Sequence, residues 1–175
     1  MPKTIKPFIS PEEIRSIVKG LAVRIREDYH GKNPVLVCVL KGAFIFMSDL
    51  MREVGIPVEA VFIRSSAYGK RGAPSKKAAL AGAPAAEIKG RDIIIVEGIV
   101  DRGVTIKAVI ERLQSHGPSS IRVCTLLLRE DRTESGPVVI HYSGRTVGEG
   151  FVVGYGMDYM EKYRELPGLY LLKDY

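Results

Sequence analysis

The sequence is poor in the residues that build metal clusters and disulfides. Its two cysteines, Cys38 and Cys124, sit inside the apolar runs VLVCVL and VCTLLL. There they read as small buried hydrophobes, not as a disulfide or a metal pair. The three histidines, His30, His116 and His141, share no metal-ligand spacing with each other or with the cysteines, so a zinc site is not expected. Long apolar runs are missing as well. The longest are strand-sized and flanked by charges, which excludes an expected membrane-spanning helix. The opening MPKTIKPFIS has lysines but no apolar stretch behind them, so it does not read as a secretory signal, and a cytoplasmic protein is expected. Neither a Gly-Lys-Ser/Thr phosphate loop nor a GxGxxG dinucleotide turn occurs.

What is present fits one compact domain: 175 residues, 46% hydrophobic and 26% charged. The formal net charge is +6 and the pI about 9.3. Such an excess favours a polyanionic ligand, whether a phosphate ester, a diphosphate or nucleic acid. Composition alone, however, leaves a plain solvated surface slightly ahead.

Ser10-Pro11-Glu12-Glu13 reads as a helix start, with Ser10 and Glu13 forming a capping box. Ile14, Ile17, Val18, Leu21 and Ile25 then recur at helical spacing. Residues 34–40 form a continuous apolar run that suits a strand buried on both faces. Lys41-Gly42 breaks it. A second helix follows, with Phe44, Met47, Leu50, Met51 and Val54 on one side. The next strand is expected over 58–64, and residues 65–86 read as an irregular lid or loop carrying Lys70, Arg71, Lys76 and Lys77. Residues 92–96 form another buried strand, 104–115 a helix with Ile106, Val109, Ile110 and Leu113 inward, and 121–128 a further strand. This alternation predicts an α/β fold with a mainly parallel sheet flanked by helices. Residues 138–175 read as a small hood above the carboxyl ends of the sheet. Tyr155, Tyr159 and Tyr163, four apart, suggest a packed aromatic row.

Ligands of open α/β sheets bind beyond the carboxyl ends of the strands. One such end carries Glu97, Asp101, Gly103 and Thr105 into a helix. A helix N-terminus has free amides and a positive dipole end, so it attracts phosphate. Gly103 allows close approach and Thr105 adds a hydroxyl donor. The same stretch also fits an ordinary strand-to-helix turn capped by Asp101, and the pattern alone leaves both readings open.

Val96-Glu97-x-Ile99-Val100-Asp101-x-Gly103-x-Thr105 resembles the phosphoribosyl-diphosphate signature of type I phosphoribosyltransferases. Three more segments resemble the hypoxanthine-guanine branch of that family. They are the diphosphate loop in residues 39–43, the start of the mobile loop in Ser66-Ala67-Tyr68-Gly69, and the purine hood in residues 151–159 followed by 162–167. The resemblance covers nearly the whole chain and implies purine salvage: a 5-phosphoribosyl group passes from phosphoribosyl diphosphate to hypoxanthine or guanine, with Mg2+. It implies that Glu97 meets the ribose hydroxyls and that Asp101 acts as acid or base near purine N7. Arg102, Gly103, Val104 and Thr105 would hold the 5'-phosphate. Lys41 and Gly42, after a non-proline cis bond at Leu40, and Arg164 would contact diphosphate. Tyr68 belongs to the mobile loop, and closure of the basic segment 70–77 would exclude water. Phe151 would stack on the purine, the Val152 backbone and Arg129 would read its edge, and Asp158 would hold magnesium. A homodimer or homotetramer is implied, with neither membrane nor nucleic acid as partner.

Four positions depart from the pattern. Gly98 replaces a second acid, Arg102 a threonine, Ala67 a serine and Arg129 a lysine. These departures keep a second reading open, in which a catalytically weakened member senses nucleotides or binds RNA as a regulator. Restoring an acid at position 98 is expected to tighten phosphoribosyl-diphosphate binding.

Overall fold

The computed structural model describes residues 4–68, 74–81, 85–130 and 138–173, and for 65–68 and 74–81 the backbone alone. Its centre is a six-stranded sheet, formed by β2 (Val35–Leu40), β3 (Glu59–Tyr68), β4 (Pro74–Ala81), β5 (Asp92–Val100), β6 (Ser120–Arg129) and β7 (Tyr142–Val147). The order is β4-β3-β2-β5-β6-β7. All neighbours run parallel except β4, which is antiparallel to β3. Helix α1 (Pro11–Asp28) and helix α2 (Phe44–Glu53) cover one face; α3 (Ala85–Ile88) and α4 (Val104–Gln114) cover the other.

Both faces of the central strands are buried, which is why they read as unbroken apolar runs. Along β2 the side chains alternate: Leu36 and Cys38 join the core under α1 and α2, while Val35, Val37 and Val39 join the core under α4. Ile94 and Val96 of β5 repeat the first choice, Ile93 and Ile95 the second. Each of these valine, leucine and isoleucine burials contributes roughly 1.5–3 kcal/mol.

The expected helices form for the expected reasons. Ser10 caps α1: its side chain accepts from the Glu13 amide at 3.2 Å, and the Ser10 amide donates to Glu13 Oε2 at 2.8 Å. In α2 the inward stripe is Phe46, Met47, Leu50 and Val54, whereas Phe44, expected there, is 43% exposed. Phe44 is the first helical residue and lies at the open end of the sheet.

Three expectations change. The segment 65–86 is not irregular throughout: β3 continues to Tyr68, and β4 pairs back on it from Arg64↔Ala81 to Tyr68↔Pro74. Lys76 and Lys77 lie on β4, and Lys70 and Arg71 fall outside the described residues. Strand β7, expected in the hood, extends the main sheet beside β6. The hood instead recruits an unforeseen N-terminal strand, β1 (Ile5–Ile9), which pairs with β9 (Leu169–Leu172); β9 in turn pairs with β8 (Phe151–Val153). A short strand such as IKPFI, with a proline inside, carries little signal of its own.

The hood turn after β8 depends on close backbone approach. Gly154 adopts φ +99°, and a Cβ there would collide with the Gly168 carbonyl oxygen. The Gly154 amide donates to the Met157 carbonyl, and the Gly154 carbonyl accepts from the Met157 amide, both at 2.9 Å. Gly154→Ala should therefore destabilise the protein by roughly 2–4 kcal/mol. Thermal unfolding checks this, and an unchanged midpoint would show that the hood tolerates a wider turn.

Candidate active site

The parallel register sets the site. Cys38 of β2 lies opposite Val96 of β5, so the turns that leave the two strands emerge side by side. The Leu40–Lys41 peptide is cis, as the resemblance implies. Gly42 follows, with Glu97 Oε1 4.0 Å from where a Cβ at Gly42 would stand. A Cβ at position 98 would lie 3.0 Å from the Gly42 carbonyl oxygen and 3.6 Å from Met157 Cγ. One at position 156 would lie 2.8 Å from the same oxygen. Gly98 and Gly156 thus close on the Gly42 carbonyl from two sides. An acid at position 98 does not fit without moving the Gly42 backbone, so the expected gain from restoring it is opposed by steric cost.

Glu97 is part-buried, and its Oε1 accepts from the Gly98 amide at 2.9 Å. Protein closely surrounds its carboxyl and pushes the pKa up to about 8. Beyond β5, Asp101 does not cap α4. The N-cap is Gly103, at φ +78°, with no capping side-chain bond. The amides of the first turn therefore have no capping side chain competing for them, which suits a phosphate. Arg102 and Val104 are exposed at this end, and Thr105 is half-buried.

Asp101 is held from the side. Arg129 Nε donates to Asp101 Oδ1 at 3.2 Å, Nη2 donates to the Gly150 carbonyl at 2.7 Å, and Nη1 donates to the Gly148 carbonyl. Arg129 is 15% exposed in its side chain. It uses three of its five N–H donors to join the β5 loop to the hood, and each Nη keeps one. A lysine has no such planar fork.

Phe151 lies on β8 with its ring centroid 5.5 Å from that of Tyr159, edge to face at 88°. Val152 is buried. The expected tyrosine row does not form, because the chain turns sharply between its members. Tyr155 is buried and donates to Asp49 of α2, while Tyr159 meets Phe151. Tyr68 ends β3, and its side chain lies outside the described residues.

The last group lies in the loop after β8. Arg164 Nη1 donates to the Gly156 carbonyl at 2.7 Å, and Nη2 pairs with Asp158 Oδ1 at 2.8 Å and Glu161 Oε2 at 3.2 Å. Asp158 Oδ2 accepts from the Glu161 amide at 2.8 Å. Lys41 Nζ reaches Glu161 Oε1 at 3.0 Å and Oε2 at 2.9 Å. These two cations hold the Glu161 carboxyl below the usual carboxylate range. Glu161 was not foreseen. Its spacing of three from both Asp158 and Arg164 is the one local signal that pointed to it.

Comparison with known proteins agrees with this geometry. The family described as phosphoribosyl transferase domain matches residues 10–160. The chain is 38% identical over 169 residues to the hypoxanthine phosphoribosyltransferase of Salmonella typhimurium, covering 95% of this chain and 94% of that one. It is 37% identical over 165 residues to the hypoxanthine-guanine phosphoribosyltransferase of Mycobacterium tuberculosis, covering 91% and 81%. A crystal structure of a hypoxanthine-guanine phosphoribosyltransferase from Bacillus anthracis superposes with a TM-score of 0.87 at 34% identity, over 98% of this chain and 99% of that one. The parallel sheet with its flanking helices and the hood are those of a type I phosphoribosyltransferase. The chain belongs to the phosphoribosyltransferase family, in its hypoxanthine-guanine branch.

The raised Glu97 pKa makes stability depend on pH. An unfolded glutamate ionises near its ordinary 4.5, the folded one near 8. Stability is therefore full below the first value, falls as pH rises between the two, and levels off above the second. Glu97→Gln should be more stable than the parent by about 1–3 kcal/mol at pH 8 and little different near pH 4. Denaturant unfolding at both pH values measures this; a difference independent of pH would mean that the carboxyl ionises normally.

Proposed function

We propose that this protein transfers the 5-phosphoribosyl group from phosphoribosyl diphosphate to hypoxanthine or guanine, forming the nucleoside monophosphate and diphosphate. The observation that carries this is the joining of four separate segments at the carboxyl end of the sheet. Gly42 touches residues 98 and 156, Arg129 ties Asp101 to Gly148 and Gly150, and Lys41 meets the loop that holds Arg164. Similar proteins carry enzyme names, and no observation favours a regulatory reading.

In this reading the α4 amides from Gly103 to Thr105 hold the 5'-phosphate, with Arg102 beside them. Glu97 meets the ribose hydroxyls. Lys41, Gly42 and Arg164 hold the diphosphate, and Phe151 and Val152 receive the purine. The bond from ribose C1 to a diphosphate oxygen breaks, and a bond from C1 to a purine ring nitrogen forms. Positive charge builds on the sugar and negative charge on the leaving group, so preorganised cations favour the transition state. Asp101 takes up the proton released by the base, oriented by Arg129, whose remaining donors face the purine edge. Tyr68 and the segment that follows it would exclude water.

Magnesium is part of this proposal. Among the described residues no group of three or more His, Cys, Asp or Glu side chains could cage a metal. Asp158 alone, paired with Arg164, fits a magnesium ion that arrives with the diphosphate and keeps several waters. When bound, it would neutralise charge on the leaving group. No helix among the described residues is long and apolar enough to cross a membrane. We further propose a cytoplasmic homodimer or homotetramer.

Asp101→Asn should lower turnover by roughly two or more decades while leaving the fold intact, as for a lost general base. Steady-state assays with each 6-oxopurine test it, and near-normal turnover would remove Asp101 from the proton transfer. The steric finding at position 98 separates two effects. Gly98→Ala adds only the Cβ and should weaken phosphoribosyl-diphosphate binding roughly fivefold, a displacement cost of about 1 kcal/mol. Gly98→Asp should bind more tightly than Gly98→Ala, because its carboxylate regains a ribose contact. Calorimetric titration with magnesium present reads both, and equal affinities across all three proteins would place the ligand elsewhere.

A further inference from the structure

Lys41 and Arg164 come from opposite ends of the chain and converge on one carboxylate, that of Glu161. Lys41 grips both of its oxygens, at 3.0 and 2.9 Å, and Arg164 approaches Oε2 at 3.2 Å. A carboxylate clasped by two cations presents the same ligand chemistry as one phosphoryl group of a diphosphate. The backbone adds a second observation. Met160 and Glu161 both have positive φ, +53° and +61°. The Tyr159 and Lys162 amides and carbonyls close the turn around them, each bond at 3.1 Å. Left-handed backbone at both central positions is the geometry of a turn that favours Asn-Gly. A glutamate is disfavoured there and is held by what its ends reach: Lys41 and Arg164 from the side chain, Asp158 Oδ2 from the amide. The Glu161 side chain is 66% exposed, so solvent and ligand can reach it. Arg164 is only 18% exposed, and its buried Nε has no hydrogen-bond partner among the described residues.

We infer that Glu161 is an internal counter-ion for the diphosphate site: its carboxylate holds Lys41 and Arg164 in place between turnovers and must be displaced when diphosphate binds. The inference rests on the reading of Lys41 and Arg164 as the diphosphate cations. Each binding event exchanges one anion for another at the same two groups. The carboxylate therefore sets the affinity of the site by competition, and its return assists release of the diphosphate product. Because Glu161 sits on a two-residue turn at the protein surface, it can swing away without disturbing β8 or β9.

The test is calorimetric titration with inorganic diphosphate at fixed magnesium, on the whole protein and three variants. Glu161→Gln removes the competing charge and keeps the shape; it should tighten binding roughly three- to tenfold, the range of a partly exposed ion-pair network. Glu161→Asp keeps the charge and should stay within about twofold of the parent, on the scale of other surface pairs. Lys41→Met should weaken binding tenfold or more, as for loss of a charge-assisted contact. Product inhibition by diphosphate should strengthen in Glu161→Gln by the same factor as its affinity. If Glu161→Gln binds no more tightly while Lys41→Met loses affinity, the counter-ion role is overturned and the site reading stands. If Lys41→Met binds as the parent does, the site reading itself fails, and the counter-ion role goes with it.

Discussion

Strands β2 and β5 pair in parallel from Val35↔Ile93 to Cys38↔Val96, and both are buried on two faces. Every side chain in this stretch is committed to one core or the other, so the register cannot slip by one residue without reversing the whole set. With the register held, Lys41-Gly42 and the stretch from Asp101 to Thr105 leave the sheet at its carboxyl end, beside Glu97 on the last part of β5. The crossover through α4 then returns the chain to β6, parallel to β5, and delivers Arg129 to the same end of the sheet. The hood closes over the same place.

The contacts that join these pieces are of two kinds. Some are steric: the Gly42 carbonyl fits because residues 98 and 156 carry no side chain. The absence of a second signature acid is therefore part of the packing of this chain, and Met157 fills the neighbouring space. Others are polar. Arg129 spends its fork on one carboxylate and two hood carbonyls, so the group expected to read the base also positions the group expected to move the proton. Arginine at this place reaches the three acceptors through a rigid planar group, with Nε, Nη1 and Nη2 each taking one.

The electrostatic design is one of matched pairs at the mouth of the site. A phosphate-binding cleft collects cations, and unpaired cations repel one another. Here Lys41 and Arg164 share Glu161, and Arg164 also meets Asp158. The exception is Glu97, whose carboxyl has an amide donor but no cation partner among the described contacts, and whose ionisation is delayed by burial to about pH 8. In the proposed reading the two cations already stand together before diphosphate arrives, which limits the ordering cost of binding, and the displacement of Glu161 opposes it.

Much of this was legible in the chain itself. The apolar runs at 34–40 and 92–96 announce strands buried on both faces, and Ser10 with Glu13 announces a helix start. These depend on neighbours close in sequence, where spacing and residue type act directly. Glu97, Asp101, Gly103 and Thr105 stood out at the end of a strand and the start of a helix, although the pattern alone left a phosphate cradle and an ordinary turn both open. The strand β1, the place of β7 in the main sheet and the return of β4 were not, since short or alanine-rich strands are selected by the partner they pair with and not by their own composition. Nor could spacing reveal that Gly98 abuts a carbonyl 56 residues away in the chain, that Arg129 binds Gly148 and Gly150, or that Glu161 reaches Lys41 across 120 residues. The sequence by itself determined the layers, the helix starts and the candidate residues, because hydrophobic period and local turn chemistry act over a few residues. The tertiary structure alone decided which of those residues share a charge, a carbonyl or a cavity, because such contacts are set by sheet register and loop closure between distant segments.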